Sequence, residues 1–318
     1  MPAGLFLNMS HLFGPVPSRR LGLSLGVDLV PPKTCTFDCV YCEVGPTTHL
    51  TCRRRPHRVA GIIRELEDYL ASLPGPLDYL TMAGSGEPTL NQGIREIIAA
   101  VKNLTSTPVA ILTNGSLFHL PEVRAEAALA DVILPSLDAG REETFRRINR
   151  PHPGLSLDLV VSGLMSLRRE FAGQILLEVV LLKGINDQPE ELAALKGLLR
   201  ELRPDKVQLN TAVRPVADQS ARALSQEEME AAADFLGDGA EVVAAARRTS
   251  PERLSVQDRD LIEMLARRPM TAIDLAQALG FPLAQVREHL GRLAKSGLIR
   301  RDVHEDQDFY RSLVTSPA

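Results

Sequence analysis

The chain has 318 residues, 36 Lys and Arg against 40 Asp and Glu, a net charge of −4, and ordinary hydrophobic (44%) and charged (24%) fractions. That length suits one large domain with a small one beside it, and the charge excludes a polyanion binder that works by bulk charge. Four cysteines, three of them clustered, are no disulfide framework, and no run reaches the ~18 apolar residues of a membrane span.

Taken in order, the opening MPAGLFLNMSHLF lacks a basic start and a long apolar run, so no signal peptide is expected. Residues 21–30 alternate and then run apolar up to Pro31-Pro32, which predicts a strand. Residues 58–73 have helical spacing (Ile62, Ile63, Leu66, Leu70) and stop at Pro74-Gly75. A second strand over 78–83 runs into Gly84-Ser85-Gly86. A helix over 91–104 follows, with Asn91 as its expected cap. Strands at 109–112, 132–137, 175–182 and 206–210 then alternate with helices at 121–130, 141–149, 155–171 and 189–202.

This alternation calls for parallel strands with crossover helices. A closed eight-fold barrel needs about 250 residues, more than lie between Leu21 and Leu236. The expected fold class is therefore α/β: a partial (β/α)6 TIM-type barrel over residues 1–245. A linker at 246–254 and a small winged-helix domain at 255–318 follow. In that domain, helices are expected at 257–267, 271–279 and 282–296. Two wing strands (298–301, 309–313) would flank 302–308. Val286, Leu290 and Leu293 would face its core, leaving Gln285, Glu288, His289 and Arg292 outward. From Glu252 to Ala318, ten basic residues balance ten acidic ones, which argues against a strong DNA reader. The domain is expected to dock a partner or substrate and to be dispensable for chemistry at the cysteines.

The chemistry is carried by Cys35, Cys39 and Cys42, a CxxxCxxC run with Tyr41 before the last cysteine. Three thiolates on one short loop suit a [4Fe–4S] cubane with one iron left open for a small molecule. The alternatives on spacing alone are a zinc site completed by His49 or His57, or unligated thiols. Cys52 has no paired cysteine, and a fourth thiolate would block the open iron. It is read as a non-ligand.

This signature resembles that of the radical S-adenosylmethionine (SAM) superfamily. Residues 13–20 (FGPVPSRR), Gly22 to Pro31 and 84–90 (GSGEPTL) are similar to the branch of iron–sulfur oxidoreductases related to the wyosine tRNA synthases. The resemblance spans roughly residues 11–215. It implies a [4Fe–4S] cluster on Cys35, Cys39 and Cys42, SAM chelating the open iron, and a 5′-deoxyadenosyl radical that abstracts hydrogen from a substrate. Gly84, Ser85, Gly86 and Glu87 would bind the methionyl amine. Asn114, Ser136, Asp138, Asn186 and Tyr41 would complete the cofactor site, and Arg19, Arg20 and Arg214 would meet substrate. Wyosine synthases carry a second cluster on earlier cysteines. None precedes Cys35 here, so the reaction stays open between RNA and a small metabolite.

The resemblance further implies an external electron donor of flavodoxin or ferredoxin type. With no signal peptide or membrane span read, and an open cluster needing a reducing compartment, a cytoplasmic location is expected. RNA or a protein is the partner expected on the winged helix. Two other readings stand beside it. One is an activase that makes a glycyl radical on a partner protein. The other is an iron–sulfur or SAM-responsive regulator acting through the winged helix.

Overall fold

The computed structural model describes residues 11–18, 20–72, 75–237, 239–243, 258–304 and 306–314. Its first part runs β1 (Leu12–Ser18), β2 (Gly22–Asp28), β3 (Thr34–Cys35), β4 (His49–Leu50), α1 (Val59–Ala71) and β5 (Tyr79–Ala83). After a 3-10 turn (Pro88–Leu90) come α2 (Ile94–Leu104), β6 (Val109–Thr113), α3 (Pro121–Ala127), β7 (Val132–Pro135), α4 (Glu142–Asn149) and α5 (Leu157–Glu170). β8 (Gln174–Leu181), α6 (Pro189–Leu202), β9 (Lys206–Thr211), α7 (Gln226–Leu236) and β10 (Ala240–Val242) complete it. The second part is α8 (Asp258–Arg267), β11 (Met270–Thr271), α9 (Ala272–Leu279), α10 (Leu283–Lys295), β12 (Ile299–His304) and β13 (Gln307–Ser312).

The main sheet has the order β1-β2-β5-β6-β7-β8-β9-β10. From β2 to β10 every neighbouring pair is parallel, and β1 pairs antiparallel with β2. This is the expected α/β partial barrel, with two strands the sequence reading lacked. β1 is disguised by Pro15 and Pro17, which an edge strand tolerates. β10 is only Ala240–Val242 and forms by pairing with Val207–Leu209.

Alternation along each strand sorts two faces. Leu80, Met82, Ile111, Ile133, Leu177, Val179 and Leu209 join the helices in one large core. Ala110, Val132, Leu134 and Leu176 point the other way and pack with Leu21. The predicted helices start where local chemistry allows. Pro occupies the first turn of α3 and α6, the Ser156 hydroxyl caps α5, and capping boxes open α7 (Ser225, Glu228) and α9 (Thr271, Asp274).

Asn91 does not cap α2, whose N-cap is Gly93. Its amide nitrogen donates to Leu29 O (2.8 Å) and His57 O (3.0 Å), and its oxygen accepts from the Gly93 and His57 N–H groups. It clamps three loops together.

The second part has its own core, in which Val286, Leu290 and Leu293 are buried. Gln285, Glu288 and Arg292 are exposed, while His289 is held by Asp258. Asp302 and Asp308 lie within the β12–β13 ladder rather than in its turn. The expected linker at 246–254 lies outside the described residues. Among the described residues no helix is long and apolar enough to cross a membrane.

Candidate cofactor site at the strand ends

Cys35 closes β3, and Cys39 and Cys42 follow on the same loop. The loop is bound to the barrel at both ends. Lys33 N–H donates to Ser85 O (2.8 Å) and Glu87 N–H to Thr34 O (3.0 Å). Asp38 and Val40 N–H groups donate to Asn149 O and Ile148 O at the end of α4, both at 3.0 Å. Phe37 stacks edge-on against Phe145 (5.4 Å between centroids). The tight turns inside the loop come from Cys42 N–H to Cys39 O and Gly45 N–H to Cys42 O, each 3.1 Å.

Two amides face the sulfurs. Asn114 Nδ2 donates to Thr36 Oγ1 at 2.7 Å and lies 3.6 Å from Cys35 Sγ. Asn149 Nδ2 lies 3.5 Å from Cys39 Sγ and donates to Asp138 Oδ2 at 2.8 Å. The Lys33 ammonium is bound by Gly45 O and stands 3.9 Å from Cys42 Sγ. Burial pushes the Cys35 thiol up to about 12, reinforced by the Glu87 carboxylate, and pushes Cys39 well above its ordinary value. A buried thiol resists ionisation unless a positive charge stands beside it. Cys52 is raised by burial alone.

Among the described residues no three His, Cys, Asp or Glu side chains converge as on a single metal ion. His57 instead packs edge-on against His11 (5.8 Å), and His49 is exposed.

The residues singled out at strand ends do gather at this rim, but several are already engaged. Glu87 is buried, and Oε1 accepts from Thr89 N–H (3.0 Å), Thr89 Oγ1 (2.6 Å) and Thr113 Oγ1 (2.6 Å). Its Oε2 accepts from Asn114 N–H (2.8 Å). Burial raises its pKa despite these donors. Ser85 donates its hydroxyl (2.7 Å) and N–H (3.1 Å) to Asp28 Oδ2. Gly84 has φ +148°, and a side chain on it would overlap the Asp28 carboxylate; one on Gly86 would overlap Thr34 O.

Asp138 is buried and accepts from Tyr41 OH (2.5 Å), Asn149 and the Val180 N–H (2.8 Å); burial lifts it to about 6. Asn186 is fully buried, and its amide serves Leu182 N–H, Asp138 O and Val180 O, each at 2.7 Å. Its amide braces the strand ends and has no group left to turn toward a ligand. Ser136 is half-buried, and its backbone N–H binds Thr113 O.

Arg19 lies outside the described residues. Arg20 reaches across the sheet to an ion pair with Glu178. Arg214 is buried between Glu43, next to Cys42, and Asp274 of α9, each at 3.4 Å. The sequence reading missed Asn149, Thr36, Lys33 and Asp28. Asn149 has a local signal only in hindsight: it ends α4 before a left-handed Arg150 (φ 42°) and Pro151.

Residues 259–302 match the helix-turn-helix domain model. The chain is 38% identical over 302 residues to a Brachyspira hyodysenteriae protein named GTPase Obg, covering 93% of this chain but 44% of that protein. It thus spans less than half of that relative's length. It is 32% identical over 267 residues to a UPF0026 protein of Helicobacter pylori, covering 83% of this chain and 86% of that one. The fold is similar to that of a radical SAM methyltransferase from Sphaerobacter thermophilus, with TM-score 0.53 and 19% identity over 69% of this chain and 65% of that one. Residues 29–195, more than half of the chain and including all three clustered cysteines, match the Radical SAM superfamily model, and the chain belongs to that superfamily.

Proposed function

We infer that the chain is a radical SAM enzyme that binds one [4Fe–4S] cluster on Cys35, Cys39 and Cys42, with SAM beside it. The observation that carries this reading is the rim itself. Three cysteines on one loop sit where the strand ends present Gly84–Glu87, Asn114 and Asp138, and side-chain amides approach two of the sulfurs. With the cluster bound and reduced by an external donor of flavodoxin or ferredoxin type, the cofactors supply a 5′-deoxyadenosyl radical that takes a hydrogen atom from substrate.

The chain's own work is binding and placement. Asn114 and Asn149 direct N–H groups at Cys35 and Cys39 and so favour their thiolate forms. Asp138 fixes Tyr41 and Asn149 and through them the loop. Gly84 and Gly86 let backbone approach a ligand where a side chain would not fit. Glu87 acts as a brace: its carboxylate accepts from Thr89, Thr113 and Asn114, its N–H donates to Thr34 O and its carbonyl accepts from Leu90 N–H. Ser136, half-buried, offers its hydroxyl to the ribose or carboxylate. Arg20 with Glu178 offers substrate a paired charge inside the barrel. The substrate is an RNA or a small metabolite.

The test is anaerobic reconstitution of the full chain. About four irons per chain and SAM-dependent 5′-deoxyadenosine after reduction are expected. Full iron retention in the Cys35→Ala, Cys39→Ala, Cys42→Ala triple variant would sink the reading. A regulator acting through the winged helix is the second reading, favoured by the helix-turn-helix match over residues 259–302. Catalytic SAM cleavage separates the two, because a sensor need not turn over. A glycyl-radical activase is distinguished by its need for a protein substrate.

A further inference from the structure

The helix-turn-helix domain is packed into the edge of the barrel, with α8 and α9 along β1. Val16 of β1 joins the domain's own core, and the Arg267 guanidinium at the end of α8 stacks on the Phe13 ring at 4.7 Å.

The loop that leaves β9 touches both this domain and the cysteine loop. Asp218 N–H donates to Val40 O at 3.0 Å, which lays the β9 loop along the cysteines. Arg214, on the same loop, is only 9% exposed. Its Nη1 donates to Glu43 Oε2 and its Nη2 to Asp274 Oδ2, both at 3.4 Å. One guanidinium fork therefore spans two carboxylates, one in the barrel and one in the domain.

Each carboxylate stands at a joint. Glu43 follows Cys42 directly and lies inside the turn that the Gly45 N–H closes on Cys42 O (3.1 Å). Gly45 is buried, and its carbonyl binds the Lys33 ammonium. Asp274 belongs to the capping box that opens α9. Its N–H donates to Thr271 Oγ1 (3.0 Å), and its Oδ2 accepts from the Thr271 N–H (3.3 Å) as well as from Arg214. The start of α9 and the outgoing end of the cysteine loop thus share one buried cation.

We propose that Arg214 is a positioning residue for the Cys42 end of the loop, acting through Glu43, and that Asp274 makes this position depend on the helix-turn-helix domain. This rests on the reading of the loop as the seat of the cluster. Arg214 then serves the loop rather than substrate. The domain bears on chemistry at the cysteines rather than being dispensable for it, because a shift of α9 is felt beside Cys42 through two ion pairs.

Amide hydrogen exchange at Gly45 in the cluster-free full-length chain tests the link without any SAM chemistry. Arg214→Gln should speed that exchange about fivefold, the scale of one net intramolecular hydrogen bond. Asp274→Asn keeps an amide oxygen that can still cap α9, but it leaves the fork held at one end and free to swivel. It should speed Gly45 exchange by a smaller factor. In the Arg214→Gln background Asp274→Asn should change nothing further, because the two residues act through one connection. The amides of β7, buried inside the sheet, should keep their parental exchange throughout.

Parental exchange at Gly45 in Asp274→Asn overturns the proposal. So does a second, additive acceleration in the double variant, and so does equal acceleration at β7, which would mean general loosening. Asp274→Asn alters no barrel residue, so it carries the test even where Arg214→Gln does not fold. Iron loss to a chelator from the reconstituted chain is the second readout, and it should quicken in Asp274→Asn. Faster Gly45 exchange with unaltered iron loss would instead overturn the assignment of the cluster to this loop.

Discussion

Asn149 donates to the Asp138 carboxylate at 2.8 Å with the same amide nitrogen that lies 3.5 Å from the Cys39 sulfur. One side chain at the end of α4 therefore couples a barrel strand to the cysteine loop. Asn149→Ala should cost about 1–3 kcal/mol, the range for stranding a buried polar partner, because Asp138 loses one of its donors. Urea melts of the cluster-free chain measure this, and iron content after reconstitution should fall with it. A variant with parental stability and iron content would show that the amide holds nothing.

Gly86 packs so closely that a methyl group would overlap Thr34 O, the acceptor for the Glu87 N–H. Backbone cannot swing aside as a flexible side chain can. Gly86→Ala should destabilise by about 1–3 kcal/mol, as overpacked sites do, and displace the loop that carries Cys35. Gly61 faces open space, so Gly61→Ala on the exposed side of α1 should be neutral or slightly stabilising. Equal thermal midpoints for the two variants would refute the contrast.

Asp218 accepts from the Ser220 N–H at 2.9 Å and from Arg150 at 2.5 Å, and these hold its pKa down at about 2, against an ordinary 3.8. A lowered folded pKa means the unfolded chain binds the proton first on acidification. The contribution is therefore complete above pH ~4 and is lost as pH falls toward ~2. Stability of the cluster-free chain followed from pH 5 to pH 2 should fall less steeply in Asp218→Asn than in the parent. Parallel curves would remove the pair from the account.

Cys52→Ser should leave iron content and SAM cleavage nearly unchanged. Cys52 is raised by burial alone, with no contribution from the other thiols, whereas Cys42 acts on Cys35 and both act on Cys39. Loss of iron in this variant would make Cys52 a ligand.

The full-length chain should bind random duplex DNA weakly and with a shallow salt slope. Two wing arginines are spent within the wing, Arg300 on Asp302 (2.8 Å) and Arg301 on Asp308 (2.7 Å), and Arg292 of α10 pairs with Asp258 (3.2 Å). Tight binding that collapses steeply as salt rises would show that these pairs open onto phosphate, and would favour the regulator.

Much of this was legible in the residues. The CxxxCxxC loop, the alternating strands and helices, and the turn-rich strand ends are local patterns. A period of 2 or 3.6, a capping residue or a proline reports on its own neighbourhood. So Val286, Leu290 and Leu293 on one helical stripe, and Gly84–Glu87 after a strand, stand where their spacing put them. β1 and β10 were not legible, because an edge strand with two prolines and a three-residue strand exist only through the neighbours they pair with.

What only the tertiary structure decided is which polar groups remain open. Glu87, Asp138 and Asn186 look in sequence like ligands for a cofactor. In the fold they are buried, with their hydrogen bonds taken by Thr113, Tyr41, Asn149 and strand backbone. Phe13 and Arg267, far apart in the chain, meet because two cores share the β1 edge. A residue type states what a side chain is able to bind. Which partner it takes depends on which atoms folding brings within about 3 Å in a low-dielectric interior, and that is a property of the whole chain.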